Sequence, residues 1–168
     1  MASISVLKIV GQGPLSLQQP ETVDWCHPLH LKSDVGPVVA LASFPGSGNT
    51  WFRYLLQQAS GIFTGSVYRN MKLRMNGYPG EGIANGSVSV IKTHKSTDLH
   101  LQGYDKVVLL VRDPSSAILA EFNRKAGGQV GYASPERFKE NNGKQWRELV
   151  CKAGISWQTM NAAWISHF

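Results

Sequence analysis

Three short stretches of this chain carry side chains suited to a phosphorylated ligand. The first is Phe44-Pro45-Gly46-Ser47-Gly48-Asn49-Thr50-Trp51, where small residues join an apolar run to a helical one. Gly46 and Gly48 permit backbone conformations closed to larger residues, so successive main-chain N–H groups can face one point. That point lies at a predicted helix N-terminus, where unpaired donors and the positive end of the helix dipole favour an anion. Ser47 and Thr50 add hydroxyls. The second stretch is Lys92-Thr93-His94-Lys95. With an ordinary pKa near 6.5, His94 is the best candidate for a general base, and Lys92, two residues earlier, shares its strand face and brings a cation. The third is Arg112-Asp113-Pro114. Arg112 offers a bidentate fork to a phosphate; a salt bridge to Asp113 or Glu121 is the other role open to it. A strand-end histidine is more often structural than catalytic, so each stretch gains meaning only beside the others.

The elements that must position these residues follow from pattern. Val38 to Phe44 reads as a buried strand and Trp51 to Gln58 as the helix after it. Ser87 to Lys92 alternates and then turns apolar, which predicts a second strand. Lys106 to Val111 is almost wholly apolar and bounded by Gly103 and Pro114, as expected for a central parallel strand covered on both faces. Pro114 suits a first helical turn, and Ala117 to Lys125 continues as a helix. Strands alternating with helices predict an α/β fold, a three-layer parallel sheet with flanking helices and a P-loop-like nucleotide site at the carboxyl ends of the strands. Gly46, His94 and Arg112 all fall at such ends. From Ser134-Pro135 onward the chain is helical: Trp146, Leu149, Val150 and Ala153 form one apolar stripe, and Trp157, Met160, Ala163 and Trp164 a second after Gly154.

Residues 1–36 hold a short β-like run from Ile4 to Val10 and then a polar, proline-interrupted stretch. They read as an N-terminal extension or linker before a domain spanning 37–168. Tyr68 to Gly86 lacks a clear period and is expected on the surface, where a substrate can be met.

Bulk composition sets limits. The 168 residues suit one compact domain, and 42% hydrophobic with 17% charged residues is ordinary globular composition. A formal charge of +6 suits an anionic cofactor or an acidic acceptor. No arginine-rich block, aromatic RNA-binding string or finger spacing occurs, so nucleic acid is not an expected partner. Cys26 and Cys151 are far apart, as free thiols or one bridge. Pro28 prevents a regular face in Cys26-His27-Pro28-Leu29-His30 and no second ligand pair follows, so no metal site is expected. No run reaches the roughly 20 apolar residues of a membrane span, and no signal peptide is evident. Asn85-Gly86-Ser87 is a glycosylation acceptor that matters only in the secretory pathway.

The ATP-binding cradle GxxxxGK[ST] needs a lysine after its second glycine, whereas Gly48 is followed by Asn49. The turn instead resembles the PKSGTTW loop with which sulfotransferases bind 3′-phosphoadenosine 5′-phosphosulfate (PAPS): Pro45, Ser47, Gly48, Thr50 and Trp51 match, while Gly46 and Asn49 differ. IKTHK looks like the segment carrying the family's catalytic histidine, and VRDPSSAILAEF resembles its 3′-phosphate segment. The closer wording, ASFPGSGNTW, GSVY, VIKTH and AEFNRK, looks like the sulfotransferase domain of WSC-domain-containing proteins.

That resemblance implies a PAPS-dependent enzyme sulfating a glycan hydroxyl, with sialic acid as acceptor and PAPS as co-substrate without metal. It implies a Golgi location, with membrane attachment through a segment absent here. Gly46, Ser47, Gly48, Asn49, Thr50, Trp51 and Arg112 would hold the donor; His94 would be the base and Lys92 its cationic neighbour. Gly46 stands where many sulfotransferases place a lysine, and losing such a donor typically costs about 100- to 1,000-fold in rate. Lys92, Arg124 or Lys125 are the candidates to supply that charge. Ala120 stands where the family has a serine for the 3′-phosphate, a role open to Ser115 or Ser116. The family's later glycine-rich segment is missing, so the domain is expected to be incomplete at its C-terminus. A catalytically inactive nucleotide-binding or interaction module is the alternative, and a P-loop kinase a distant third.

Overall fold

The structure is a computed structural model that describes residues 28–127 and 131–168 and the backbone of residues 4–9. Among the described residues five strands form one sheet: β1 (Ile4–Ile9), β2 (Val39–Ser43), β3 (Gly65–Ser66), β4 (Ile91–Thr93) and β5 (Lys106–Arg112), in the spatial order β1-β5-β2-β4-β3. Every pairing is parallel. Helices α1 (Asn49–Ser60), α2 (Met71–Met75), α3 (Asp98–Leu101), α4 (Pro114–Ala126) and α5 (Pro135–His167) complete the α/β arrangement.

Strand β2 organises the sheet. The chain leaves it through α1 to the far strand β3, returns to β4 on one side of β2, and then crosses to β5 on its other side. The direction of winding therefore reverses at β2, and such a switch point opens a crevice beyond the carboxyl ends of its strands. The register pairs Ala42 with Thr93 and with Leu109, so the turn after β2 lies between the ends of β4 and β5.

Alternation divides the two faces of the sheet. Ala40 and Ala42 of β2 join Val107 and Leu109 of β5 in a core with Ala117, Ile118, Met160 and Trp164 of α4 and α5. Ser43, whose position in the alternation is opposite to theirs, meets Asn49 of α1. The small β2 side chains leave room on the first face for Trp164, which is fully buried against Tyr104 and Phe168, with ring centroids 5.7 and 5.9 Å away. Helix α4 starts as its sequence suggests, with Pro114 in the first turn and the Asp113 carboxylate accepting from Ser116 N at 3.0 Å as an N-cap.

Several boundaries differ from the sequence pattern. The second predicted strand shrinks to Ile91–Thr93, because Ser87 to Val90 bonds irregularly to Lys32, Phe63 and Gly65 while still burying Val88 and Val90. Strand β3 occupies a stretch that reads as loop punctuation. Gly65 is required there, since a Cβ would lie 2.2 Å from the Ile83 carbonyl oxygen. The C-terminal helix passes through Gly154 without a break and is interrupted instead at Glu140–Gly143, where Asn141, Asn142 and Gly143 have positive φ. Val150 is exposed, whereas Ala153, Met160 and Trp164 are buried as their stripes predict. Within residues 1–36, strand β1 pairs with β5 from Ile4 opposite Val107 to Ile9 opposite Arg112. Cys26 and His27 lie outside the described residues, and Cys151 is exposed on α5. Among the described residues no helix is long and apolar enough to cross a membrane.

Candidate functional site

The glycine turn is built as its composition requires. Gly46 and Gly48 have φ of 81° and 90°, the left-handed region that favours glycine. Gly48 is the N-cap of α1 without any side-chain cap, and no acid occupies the first turn. The first helical bond runs from Phe52 N to Gly48 O at 2.9 Å, which leaves the N–H groups of Asn49, Thr50 and Trp51 with no partner inside the helix. Ser47 is 2% exposed and its Oγ has no partner. An uncapped, acid-free helix start beside an unpaired hydroxyl fits an oxyanion.

The three strand ends meet at this turn. Lys92 Nζ donates to Thr50 Oγ1 at 3.2 Å, His94 Nδ1 lies 2.6 Å from the Ser43 carbonyl oxygen, and Arg112 Nη1 donates to Gly46 O at 2.8 Å. Arg112 forms no ion pair with Asp113 or Glu121. Glu121 is held instead by Arg124, through two bonds of 2.7 Å, and by Lys125 at 3.3 Å. Of the three candidates for a cation near Gly46, Lys92 is therefore the one without a carboxylate at ion-pair distance among the described residues. Burial first, and then the neighbouring Arg53 and Arg124 cations, pull its pKa down to about 8.

A carbonyl oxygen only accepts, so the short contact to Ser43 O places the His94 proton on Nδ1 and leaves Nε2 as the basic nitrogen. Burial lowers the His94 pKa to about 4, and Lys92 lowers it further against the opposing pull of the Ser43 contact. The imidazole is thus neutral at physiological pH, the form a base needs. Tyr68 Oη accepts from the His94 backbone N–H at 3.1 Å, and the two rings lie 5.8 Å apart, which fixes the histidine from the β3 side.

Not every predicted donor residue faces outward. The Asn49 side chain is 4% exposed and turns into the fold, its Nδ2 donating to Leu41 O and Ser43 Oγ at 3.0 Å each. It braces β2 against α1, and only its main chain remains for a ligand. Trp51 is 58% exposed. Gly46 also has a packing reason: a Cβ there would meet the Ala117 carbonyl oxygen at 2.3 Å, so α4 closes on the turn where a lysine would stand.

One supporting group is missing from the sequence reading. Arg53, fully buried on α1, is paired with Glu81 and donates to Thr64 Oγ1 at 2.9 Å and Thr64 O at 3.2 Å, beneath the Tyr78 ring. This network ties α1 to the loop before β4. Its members are scattered over residues 53–81, and only an arginine inside an otherwise helical stripe hinted at it. Among the described residues no group of three histidine, cysteine or acidic side chains is placed to hold a metal ion.

The chain is 50% identical over 131 residues, 78% of its length, to a WSCD family member of Drosophila melanogaster, and 51% identical over 140 residues to one of Aedes aegypti. A WSCD family member of Drosophila pseudoobscura pseudoobscura is 50% identical over 131 residues. The chain is thus related to the WSCD family, and it spans less than half of these relatives, 41% to 44% of their length. No family profile matches the chain. No solved structure matches it.

Proposed function

We propose that this chain forms the donor-binding and catalytic part of a PAPS-dependent sulfotransferase that acts on a glycan hydroxyl, with sialic acid as the acceptor sugar. One observation carries the reading: Lys92, His94 and Arg112, from two different strand ends, all contact the segment from Ser43 to Thr50.

In this reading the turn from Gly46 to Trp51 binds the 5′-phosphosulfate through main-chain N–H groups and the Ser47 and Thr50 hydroxyls, and Arg112 holds the 3′-phosphate. His94 Nε2 takes the proton of the acceptor hydroxyl as that oxygen bonds to sulfur and the bond from sulfur to the 5′-phosphate oxygen breaks. Lys92 meets the negative charge growing on the departing phosphate, the task a lysine at position 46 has no room to perform. Asn85 is exposed, in keeping with a lumenal, Golgi setting for the reaction.

The missing side chain at Gly46 favours one other reading, a module that binds the nucleotide without transferring sulfate. Incubation with sulfur-labelled PAPS and sialylated oligosaccharides separates the two. The enzyme reading expects labelled glycan from the native chain and at least a 100-fold loss with His94→Ala, within the range for removal of a general base. Nucleotide binding with no labelled product on any glycan supports the binding module.

A further inference from the structure

Between β3 and β4 the chain forms a cleft of about 340 Å3 whose wall includes Arg69, Arg74, Pro79, Glu81, Gly82 and Ile83. From its two guanidinium groups we infer that this cleft binds the carboxylate of the acceptor. The inference rests on the sulfotransferase reading for the word acceptor, and on the cleft alone for the carboxylate.

Charge gives the first argument. Neither Arg69 nor Arg74 forms an ion pair among the described residues. The acid in the cleft wall, Glu81, is 5% exposed and already committed to Arg53 and to the Asn70 backbone N–H at 3.3 Å. Two arginines therefore line the cleft without an ion-pair partner among the described residues, and a planar carboxylate is an anion whose geometry matches a guanidinium fork.

Position gives the second. Gly82 has φ of 89°, and a Cβ there would lie 3.2 Å from Arg69 Cγ, so glycine lets the Arg69 stem lie against the backbone and directs its head group. Arg69 follows Tyr68, whose hydroxyl holds the His94 backbone, and Glu81 bridges to Ser66 at the edge of the sheet. The cleft thus lies on the β3 side of the sheet, one residue along the chain from the tyrosine that holds the proposed base, while in the proposed reading the glycine turn and Arg112 account for the donor's phosphates. Its volume is at the small end of the roughly 300–1,000 Å3 of small-molecule sites, which suits a sugar unit. Met71, Pro79 and Ile83 supply apolar surface for the ring.

Titration of the 168-residue chain with the methyl glycosides of N-acetylneuraminic acid and glucuronic acid, with their carboxyl methyl esters, and with inorganic phosphate tests the site. The acids are expected to bind, the esters at least about tenfold more weakly, and Arg69→Ala/Arg74→Ala to lose the acids by a similar factor, as for charged hydrogen bonds. Both arginines are exposed, and the double variant should keep the melting shift given by 3′-phosphoadenosine 5′-phosphate. Esters binding as well as acids, undiminished binding by the double variant, no binding of either acid, or displacement of the acids by equal concentrations of phosphate would each overturn the inference. Loss of the nucleotide shift in the native chain would count against the sulfotransferase reading instead, and leave the difference between acid and ester to be judged separately.

Discussion

Lys92 Nζ is 3.2 Å from Thr50 Oγ1, so a desolvated ammonium is held against the first turn of the helix that follows the glycine turn. Its folded pKa, about 8, lies below the value of 10.5 it would have in water. Between those two values the unfolded chain binds the extra proton, and stability rises with pH across that window; below it, the buried charge is a constant cost. A residue that costs stability in the empty protein and faces an anion site has the profile of a binding group.

Replacing that charge should separate stability from binding. Lys92→Met keeps the stem and removes the ammonium, and the melting temperature of the unliganded chain should rise by roughly 2–4 °C, the equivalent of about 1 kcal/mol for a domain of this size. The shift produced by 3′-phosphoadenosine 5′-phosphate should be lost in the same variant. A variant that melts lower and still responds to the nucleotide would remove Lys92 from the donor site.

For His94 the sign of the pH effect is fixed by its lowered pKa. The unfolded histidine takes up its proton near 6.5 and the folded one near 4. Stability should therefore fall as pH drops from about 6.5 to about 4, by on the order of 3 kcal/mol at most from this group, and change no further below that. His94→Gln should flatten this part of the profile in urea unfolding at a series of pH values. An unchanged slope in the variant would mean that the imidazole is solvated and not held as described.

The two glycines of the turn should respond differently to alanine. Both have positive φ, which costs a non-glycine residue about 1–3 kcal/mol. Gly48 has open space where a Cβ would go, whereas at Gly46 the Ala117 carbonyl oxygen is 2.3 Å away. Gly46→Ala should consequently destabilise more than Gly48→Ala in denaturant unfolding. Equal losses would contradict the close approach of α4 to the turn.

How far the sequence discloses this arrangement depends on what each feature rests on. The strands carrying Gly46, Lys92 and Arg112 at or beyond their ends are legible, because buried parallel strands are nearly continuous apolar runs and glycine punctuates the turn between strand and helix. The two-residue strand at Gly65 is too short to leave a period, and its pairing is set by the Ile83 and Val90 carbonyls far along the chain. The break at Glu140–Gly143 falls on Asn141-Asn142-Gly143, residue types that tolerate the left-handed region, while Gly154, the more isolated glycine, is absorbed by a helix that continues on both sides of it. Within the site, the residue types at Lys92, His94 and Arg112 are evident, but the partners that define their states are not. The Ser43 carbonyl that sets the His94 tautomer and the Tyr68 hydroxyl that steadies it come from distant segments, and Asn49 reads as a ligand-facing residue although its side chain braces the sheet.

In the proposed function the turn and Arg112 grip an adenosine nucleotide at both of its phosphorylated ends. Thermal-shift titration with 3′-phosphoadenosine 5′-phosphate, adenosine 5′-phosphosulfate and Mg-ATP, on the native chain and on Arg112→Gln, tests it directly. Stabilisation by the 3′-phosphorylated nucleotide is expected, with a much smaller effect from the two that lack a 3′-phosphate and loss of that preference in Arg112→Gln. Stabilisation by Mg-ATP with none by 3′-phosphoadenosine 5′-phosphate would contradict it.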